Sequence, residues 1–449
     1  MHLQTELFEL NVASRLRKNG EDFVDPAFAN NKSLPIHRWV PWIAGFSSLF
    51  VQDVLQRYMT KKGTVLDPFA GVGTTLIEAC TLGHDAIGFE INPYAALASK
   101  VKVASLSIDL KLLRKNIDLF EEFCINTLKS NYTPFSKPPE TFKTRIAFYN
   151  PKILRKVLVI QDFISSLKNK RINDLFMLAF GATMVRYSNY SYEPSLGTRK
   201  GSGKNEFDDF PVIETMKSKL SEMSEDVEEI QFKPNPLHGK GTVINDSFFN
   251  VTKHLMKESI DIVITSPPYL NNYHYNRNTR PQLYWLGYAL STDDMQKLEE
   301  MNFGKYWQTV REKDNVRWEF SSPSDKLIKT IQNLSGCNQE KGIYGGKGWA
   351  NYAISYFNDC HKLATGIKHA LKSDHYAFIV IGNSILQGIQ IPTDEFFGEI
   401  AEYCGLKLIE INVPRKTRIG NSIIQSTVRV TKAKNSHSLY EAVVVVKKK

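Results

Sequence analysis

Asp67-Pro68-Phe69-Ala70-Gly71-Val72-Gly73-Thr74-Thr75 follows the short apolar run Thr64-Val65-Leu66 and opens a stretch with helical spacing. Far downstream, Thr265-Ser266-Pro267-Pro268-Tyr269 follows a second apolar run, Ile260-Asp261-Ile262-Val263-Ile264. Each phrase is therefore predicted at the carboxyl end of a β-strand, and in an open α/β sheet ligands bind at that edge. Two more strands are predicted, Ala86-Ile87-Gly88-Phe89-Glu90 and Gly241-Thr242-Val243-Ile244-Asn245, the latter running into Asp246-Ser247.

Two close glycines after a strand let the backbone turn sharply and approach a ligand, while the following helix offers unpaired N–H groups and a partial positive charge. Gly71-Val72-Gly73 is no dinucleotide fingerprint, because Leu76 stands where a third small residue is wanted. No Gly-Lys-Ser/Thr follows, which excludes a P-loop. Glu90 lies about 20 positions beyond the glycines, the separation that places a carboxylate on a ribose diol. A surface glutamate at a strand end is the simpler alternative. Asp246-Ser247 also fits an Asx turn that caps a helix.

Together the two phrases resemble the S-adenosylmethionine-dependent amino-methyltransferases of DNA, which methylate the exocyclic nitrogen of cytosine or adenine. The resemblance covers roughly residues 35–100 and 239–449 and implies an α/β fold, a Rossmann-like class I methyltransferase sheet, mostly parallel with an antiparallel final strand. It implies S-adenosyl-L-methionine as cofactor, held by Asp67, Phe69, Gly71, Gly73, Thr74, Glu90, Ile91, Asp246 and Ser247, with Asp246 on the adenine amine. A segment before the loop completes the pocket in this family, which makes Trp42, Phe46 and Ser47 candidates.

Ser266, Pro267, Pro268 and Tyr269 are the candidate catalytic residues. The amine of a nucleobase is a poor nucleophile, since its lone pair is delocalised into the ring. A Ser266 hydroxyl and a Pro267 carbonyl can accept its two hydrogens, favouring a pyramidal nitrogen aimed at the methyl group. Successive prolines stiffen that turn, and Tyr269 offers a flat face for a base turned out of the helix. Methylation at carbon would need a cysteine nucleophile, usually presented after proline. None of Cys80, Cys124, Cys337, Cys360 and Cys404 follows one. Direct in-line attack with no covalent intermediate and no metal is expected.

The cofactor phrase precedes the amine-binding phrase, the reverse of the order common among enzymes that make N4-methylcytosine. Serine before the prolines favours N4 of cytosine; N6 of adenine and an RNA amine such as guanine N2 are the alternatives. A degenerate methyltransferase fold kept as a DNA-binding subunit is the non-enzymatic one.

The chain has 449 residues, 42% of them hydrophobic, enough for a folded core of two or three domains. Five scattered cysteines, with no Cys-x-x-Cys pair, argue against a disulfide framework or zinc site and suggest a reducing cytoplasm. No secretory signal and no membrane-spanning run is visible. A formal charge of +10 suits a polyanionic partner, here expected to be duplex DNA, and the resemblance implies a companion restriction endonuclease. Between Val413 and His437 six basic residues, including Arg415, Lys416 and Arg418, occur with no acidic one, which could track a phosphate backbone. Lysines at the very end are as readily explained by solvation.

Residues 1–104 are predicted to carry the first part of the methyltransferase domain and the cofactor loop. Residues 105–235 read as an inserted helical subdomain, from apolar spacings at Leu113, Ile117 and Phe120, at Ile153, Val157 and Ile160, and from Val212 to Val227. It contains the tyrosine-rich turn Arg186-Tyr187-Ser188-Asn189-Tyr190 and a basic loop with Arg199 and Lys200, candidate DNA contacts. Residues 236–290 return to the core, where Tyr273 and Arg277 sit beside the presumed target base. Residues 291–348 show no strand alternation and suit target recognition, and 349–449 complete the sheet.

Overall fold

The computed structural model describes residues 23–27, 31–40, 42, 45, 47–192, 196–232, 238–270, 275–313, 316–321, 323–415 and 439–449. Among these the strands are, in chain order, β1 (Thr64–Asp67), β2 (Asp85–Phe89), β3 (Tyr190–Tyr192), β4 (Leu196–Thr198), β5 (Gly241–Ile244), β6 (Ile260–Thr265), β7 (Leu371–Gly382), β8 (Ser384–Leu386), β9 (Ile389–Ile391), β10 (Leu406–Arg415) and β11 (Glu441–Lys448). Seven of them form one sheet in the order β10-β11-β7-β6-β1-β2-β5. The run β7-β6-β1-β2-β5 is parallel throughout, and β11 is antiparallel to both β7 and β10.

The continuous apolar runs in these strands follow from burial on both faces, since successive side chains point to opposite sides of a sheet. Val65, Ile262, Ile264, Phe378, Val380, Val443 and Val445 enter the core on one face. Their neighbours Leu66, Val263, Ile379, Ile381, Val444 and Val446 enter the core on the other. The first face is covered by the helices Ser48–Tyr58, Thr74–Thr81 and Pro93–Ser105, the second by Gly346–Ala370 and Thr393–Tyr403.

Between β2 and β5 the chain forms the helices Leu110–Lys129, Pro151–Ser166, Lys170–Thr183 and Val212–Gln231. The apolar positions read from the sequence, from Leu113 through Val227, are buried and continue the core of the first face. The tyrosine-rich turn differs from expectation: it is a short antiparallel hairpin, β3 against β4. Tyr190 is buried and Tyr192 is partly exposed. Residues 291–348 are mainly helical, with Thr292–Glu300 started by a capping box between Ser291 and Asp294.

The last strand is antiparallel, as the sequence suggested, and lies between β7 and the edge strand β10. Ala442 to Val446 are five consecutive buried residues and need strands on both sides; β10, with Lys407, Ile409 and Glu410 exposed, can tolerate the edge.

Ahead of the sheet, residues 31–40 form a strap fixed to the inserted helices by one buried side chain. Asp226 accepts hydrogen bonds from the Ile36 amide at 2.8 Å, the Trp39 indole at 2.8 Å and the Arg38 guanidinium. Ile36 itself takes φ 64°, an uncommon conformation for a β-branched residue. Among the described residues no helix is long and apolar enough to cross a membrane.

Candidate active site

After β1 the chain turns through Gly71 (φ 51°) and Gly73 (φ 87°), both left-handed and therefore suited to glycine. Close packing adds a second reason at Gly73, where a Cβ would fall 3.0 Å from the Ser99 Cα. Ser99 in turn donates to the Gly71 carbonyl at 2.7 Å. Above Gly71 stands Trp42: its indole nitrogen is 3.4 Å from where a Cβ of residue 71 would sit.

Glu90, at the end of β2, closes the turn from the other side. One carboxylate oxygen accepts from the Gly71 amide at 2.9 Å and the other from the Asn92 amide at 2.8 Å. Burial pushes its carboxyl up to about 7, against the opposing pull of those amides. Each oxygen keeps a lone pair for a further donor, the requirement for holding a diol. Asn92 also caps the helix Pro93–Ser105 and donates to Asn276 at 3.0 Å and Thr279 at 2.7 Å. It thereby ties the cofactor side of the site to the segment that follows the Ser-Pro-Pro-Tyr turn.

At the end of β5, Asp246 accepts from His254 at 2.7 Å and Asn250 at 3.0 Å. Burial acts to raise its pKa, but the His254 and Asn250 bonds outweigh it and hold the carboxyl below the usual range. Ser247 caps the following turn through the Phe249 amide.

These elements and the end of β6 surround one cleft. Its walls include Trp42, Phe69, Gly71, Thr74, Glu90, Ile91, Asp246, Ser247, Ser266 and Pro268, so both phrases read from the sequence meet there. The aromatic rings of Phe248 and Phe249, two backbone-anchored acids and a helix start with free amides fit S-adenosylmethionine by their donor and acceptor set.

Not every predicted residue reaches the cleft. Asp67 is fully buried beneath it and accepts from Thr75 and from Thr265, each at 2.6 Å, as well as from the Phe69 amide at 3.0 Å. It joins the end of β1 to the end of β6 and is a tie between the phrases, not a wall of the pocket. Burial raises its carboxyl to about 6 despite the three donors. Ser47 is buried at the start of the helix Ser48–Tyr58 and donates its amide to the Pro26 carbonyl. Pro267 is buried; Tyr269 lies just outside the wall, and Phe46 outside the described residues.

Several contributors carried no signal in the sequence. Asn276, Met301, Asn302 and Phe303 line the cleft, and Phe303 packs edge-on against Phe69 with ring centres 5.1 Å apart. Tyr356, from the long helix Gly346–Ala370, donates to the Pro268 carbonyl at 3.1 Å and holds the proline turn. Asn92 could have been found, since asparagine followed by proline marks a helix start.

A family model described as DNA methylase matches residues 30–100, from the strap into the first helix after Glu90. There the chain resembles the N4/N6 DNA methyltransferase family. It is 26% identical over 432 residues to the Type II methyltransferase M.BsoBI of Geobacillus stearothermophilus, covering 88% of this chain and 83% of that one. To M.MvaI of Kocuria varians it is 25% identical, covering 78% and 76%, and to M.AvaI of Nostoc sp. 23%, covering 88% and 84%. Like that family it uses S-adenosylmethionine as methyl donor.

The candidate DNA contacts of this methyltransferase fall in different settings. Arg186 and Lys200 are exposed. Tyr190 is buried, its ring stacked on Phe148 at 5.4 Å, which leaves no open face for a base. Arg199 lies over Phe207 at 4.1 Å and donates to the Asn205 carbonyl. Arg277 is exposed, 5.2 Å above Tyr306 and 3.8 Å from Glu299. Arg415 pairs with Glu441 at 3.0 Å, while Tyr273, Lys416 and Arg418 lie outside the described residues. Of the terminal lysines, Lys447 pairs with Asp374 and Lys448 is buried, donating to the Lys368 and Leu371 carbonyls.

Proposed function

We propose that this chain is a Type II methyltransferase that modifies the N4 amine of cytosine in duplex DNA, taking the target base out of the helix, as part of a restriction-modification pair. One observation carries the reading: Ser266 and Pro268 line the same cleft as Gly71, Glu90 and Asp246, so an amine-binding turn and a nucleoside-binding turn face one another. The serine before the two prolines favours cytosine over adenine.

S-adenosylmethionine supplies an electrophilic sulfonium methyl. Glu90 would hold the ribose diol, Asp246 the adenine amine, and the turn at Gly71 the amino-acid end, with Trp42 closing over it. Ser266 accepts one hydrogen of the target amine, and a carbonyl of the proline turn, stiffened by Tyr356, accepts the other. The two acceptors keep the nitrogen lone pair out of conjugation and pointed along the line of transfer. The amine proton can leave after transfer, so no strong base is required. Tyr269 offers a stacking face for the flipped base. The inserted helices and residues 291–348 flank this cleft and are the segments we assign to target recognition.

The reading is tested on DNA from cells expressing the protein. Nucleoside mass spectrometry is expected to reveal N4-methylcytosine; N6-methyladenine would overturn the choice of base, and methyl transfer to RNA alone the choice of substrate. In purified protein, Ser266→Ala is expected to leave cofactor affinity nearly unchanged and to lower turnover by about 100-fold or more. Equal loss of both would remove Ser266 from the chemistry.

A further inference from the structure

We propose that Glu441 is a positioning residue for methyl transfer, setting the direction in which the Ser266 hydroxyl points through the phenol of Tyr269. The inference rests on the function proposed above and extends it to a residue 172 positions beyond Tyr269.

Glu441 is the first residue of β11, in register with Gly382 of β7 on one side and Arg415 of β10 on the other. Its side chain is 12% exposed and both oxygens are engaged. One accepts from the Tyr269 hydroxyl at 3.3 Å, the other from the Arg415 guanidinium at 3.0 Å. Tyr269 in turn accepts from the Ser266 hydroxyl at 3.5 Å. The three groups form a line of hydrogen bonds running from the cleft wall into the antiparallel end of the sheet. The two bonds nearest the cleft are long, as catalytic hydrogen bonds often are before substrate tightens them.

Such a line has a sense. A carboxylate paired with a guanidinium accepts only, so the phenol must donate toward Glu441 and its oxygen is left to accept from Ser266. The serine proton is thereby drawn out of the cleft and the lone pairs of its oxygen face inward. That is the orientation in which serine can accept a hydrogen from an amine. Removing the carboxylate removes the acceptor that fixes this sense, and a phenol donating to Ser266 instead would make the serine aim its own proton at the amine hydrogens. Arg415 fixes the rotamer of the carboxylate and sits away from the cleft. The antiparallel insertion of β11 beside β7 is what brings a residue so distant in the chain next to the amine-binding turn.

The test uses the full chain with saturating cofactor and duplex DNA, and measures single-turnover methyl transfer alongside cofactor and DNA affinity. Glu441→Ala is expected to slow transfer about 10- to 100-fold while leaving both affinities within about twofold. Glu441→Gln leaves one acceptor for two donors; the Arg415 guanidinium claims it and turns the amide NH2 toward the phenol, so this variant is expected to be as slow as Glu441→Ala. Tyr269→Phe keeps the stacking face and leaves β11 untouched; it is expected to slow transfer to the same degree, and adding Glu441→Ala to it should cost nothing more. Should Glu441→Ala fail to fold, the Tyr269→Phe and Glu441→Gln rates carry the test. A wild-type rate in Tyr269→Phe, or multiplicative losses in the double variant, would overturn the proposal. Failure of the unmodified protein to methylate any DNA amine would instead overturn the function on which it rests.

Discussion

Cofactor affinity should depend on pH through Glu90. Its carboxyl is pushed up to about 7 by burial, and in the cofactor-free protein only the Gly71 and Asn92 amides are bonded to it. A ribose diol donates hydrogen bonds and favours the ionised form, so binding below pH 7 must expel a proton. If the bound form ionises well below pH 5.5, the apparent affinity falls about 25-fold between pH 7.5 and 5.5, or about 2 kcal/mol. Asp246 does not share in this change, because its pKa is held below the usual carboxylate range.

Isothermal titration calorimetry in two buffers of different ionisation enthalpy measures both quantities. Proton release should approach one per cofactor near pH 5.5 and vanish above about pH 8, and Glu90→Gln should bind more weakly at pH 7.5 but with no such dependence. Without cofactor the sign for stability is opposite: the folded protein keeps the Glu90 proton between 4.5 and about 7, where an unfolded glutamate has lost it. Glu90 therefore weakens the fold above pH 7, by up to about 3 kcal/mol, and the penalty disappears as pH falls. Equal affinity at pH 5.5 and 7.5, or a pH dependence that persists in Glu90→Gln, would refute the role of this carboxylate.

Three substitutions examine the frame around it. Asp67→Asn replaces an acceptor shared by Thr75 and Thr265 with an amide that can serve only one of them; a loss of about 1–3 kcal/mol is expected, and an unchanged thermal midpoint would show that the tie is idle. Gly73→Ala forces a side chain onto φ 87° with its Cβ 3.0 Å from the Ser99 Cα, which should cost about 1–3 kcal/mol and weaken cofactor binding in the same titration. Lys102 is buried, with its ammonium 3.3 Å from the His37 carbonyl and its pKa lowered to about 7 by burial. Below pH 7 the folded state carries the full penalty of that charge, and it fades toward pH 10, so Lys102→Met should stabilise by up to about 4 kcal/mol near neutrality and by less at pH 9.5. A lower midpoint at both pH values in thermal denaturation would contradict this.

Local chemistry in the sequence located one half of the site. Gly71, Glu90, Asp246 and Ser266 were legible because each stands at the end of an apolar run, and strand ends on one edge of a parallel sheet must converge. Three of the four inserted helices were legible because spacing alone marks a buried face; Lys170–Thr183 was not read. What spacing cannot tell is which buried face meets which. Asp67 read as a pocket residue from its place in the phrase, yet its oxygens point inward to two threonines. Tyr190 read as a stacking platform, yet its ring is stacked on Phe148 inside the core. Met301 to Phe303, Tyr356 and Glu441 come to the cleft from segments whose approach is set by packing over long separations, for which a single sequence holds no local mark.

The insertion between β2 and β5 is also more than an appendage to the sheet. Asp226, on the helix Val212–Gln231, receives the amide of Ile36, the guanidinium of Arg38 and the indole of Trp39, and so fixes the strap three residues ahead of Trp42. Trp42 in turn stands over Gly71, the turn on which the cofactor loop depends. An uncommon φ of 64° at Ile36 is tolerated there because its amide has a buried carboxylate to bond, and a carboxylate with three partners is costly to leave unpaired. The strap that leads to Trp42 is thus held by this helix twice, through Asp226 and through Lys219, which donates to the Arg38 carbonyl at 3.3 Å, whereas Glu90 and Asp246 are rooted at strand ends.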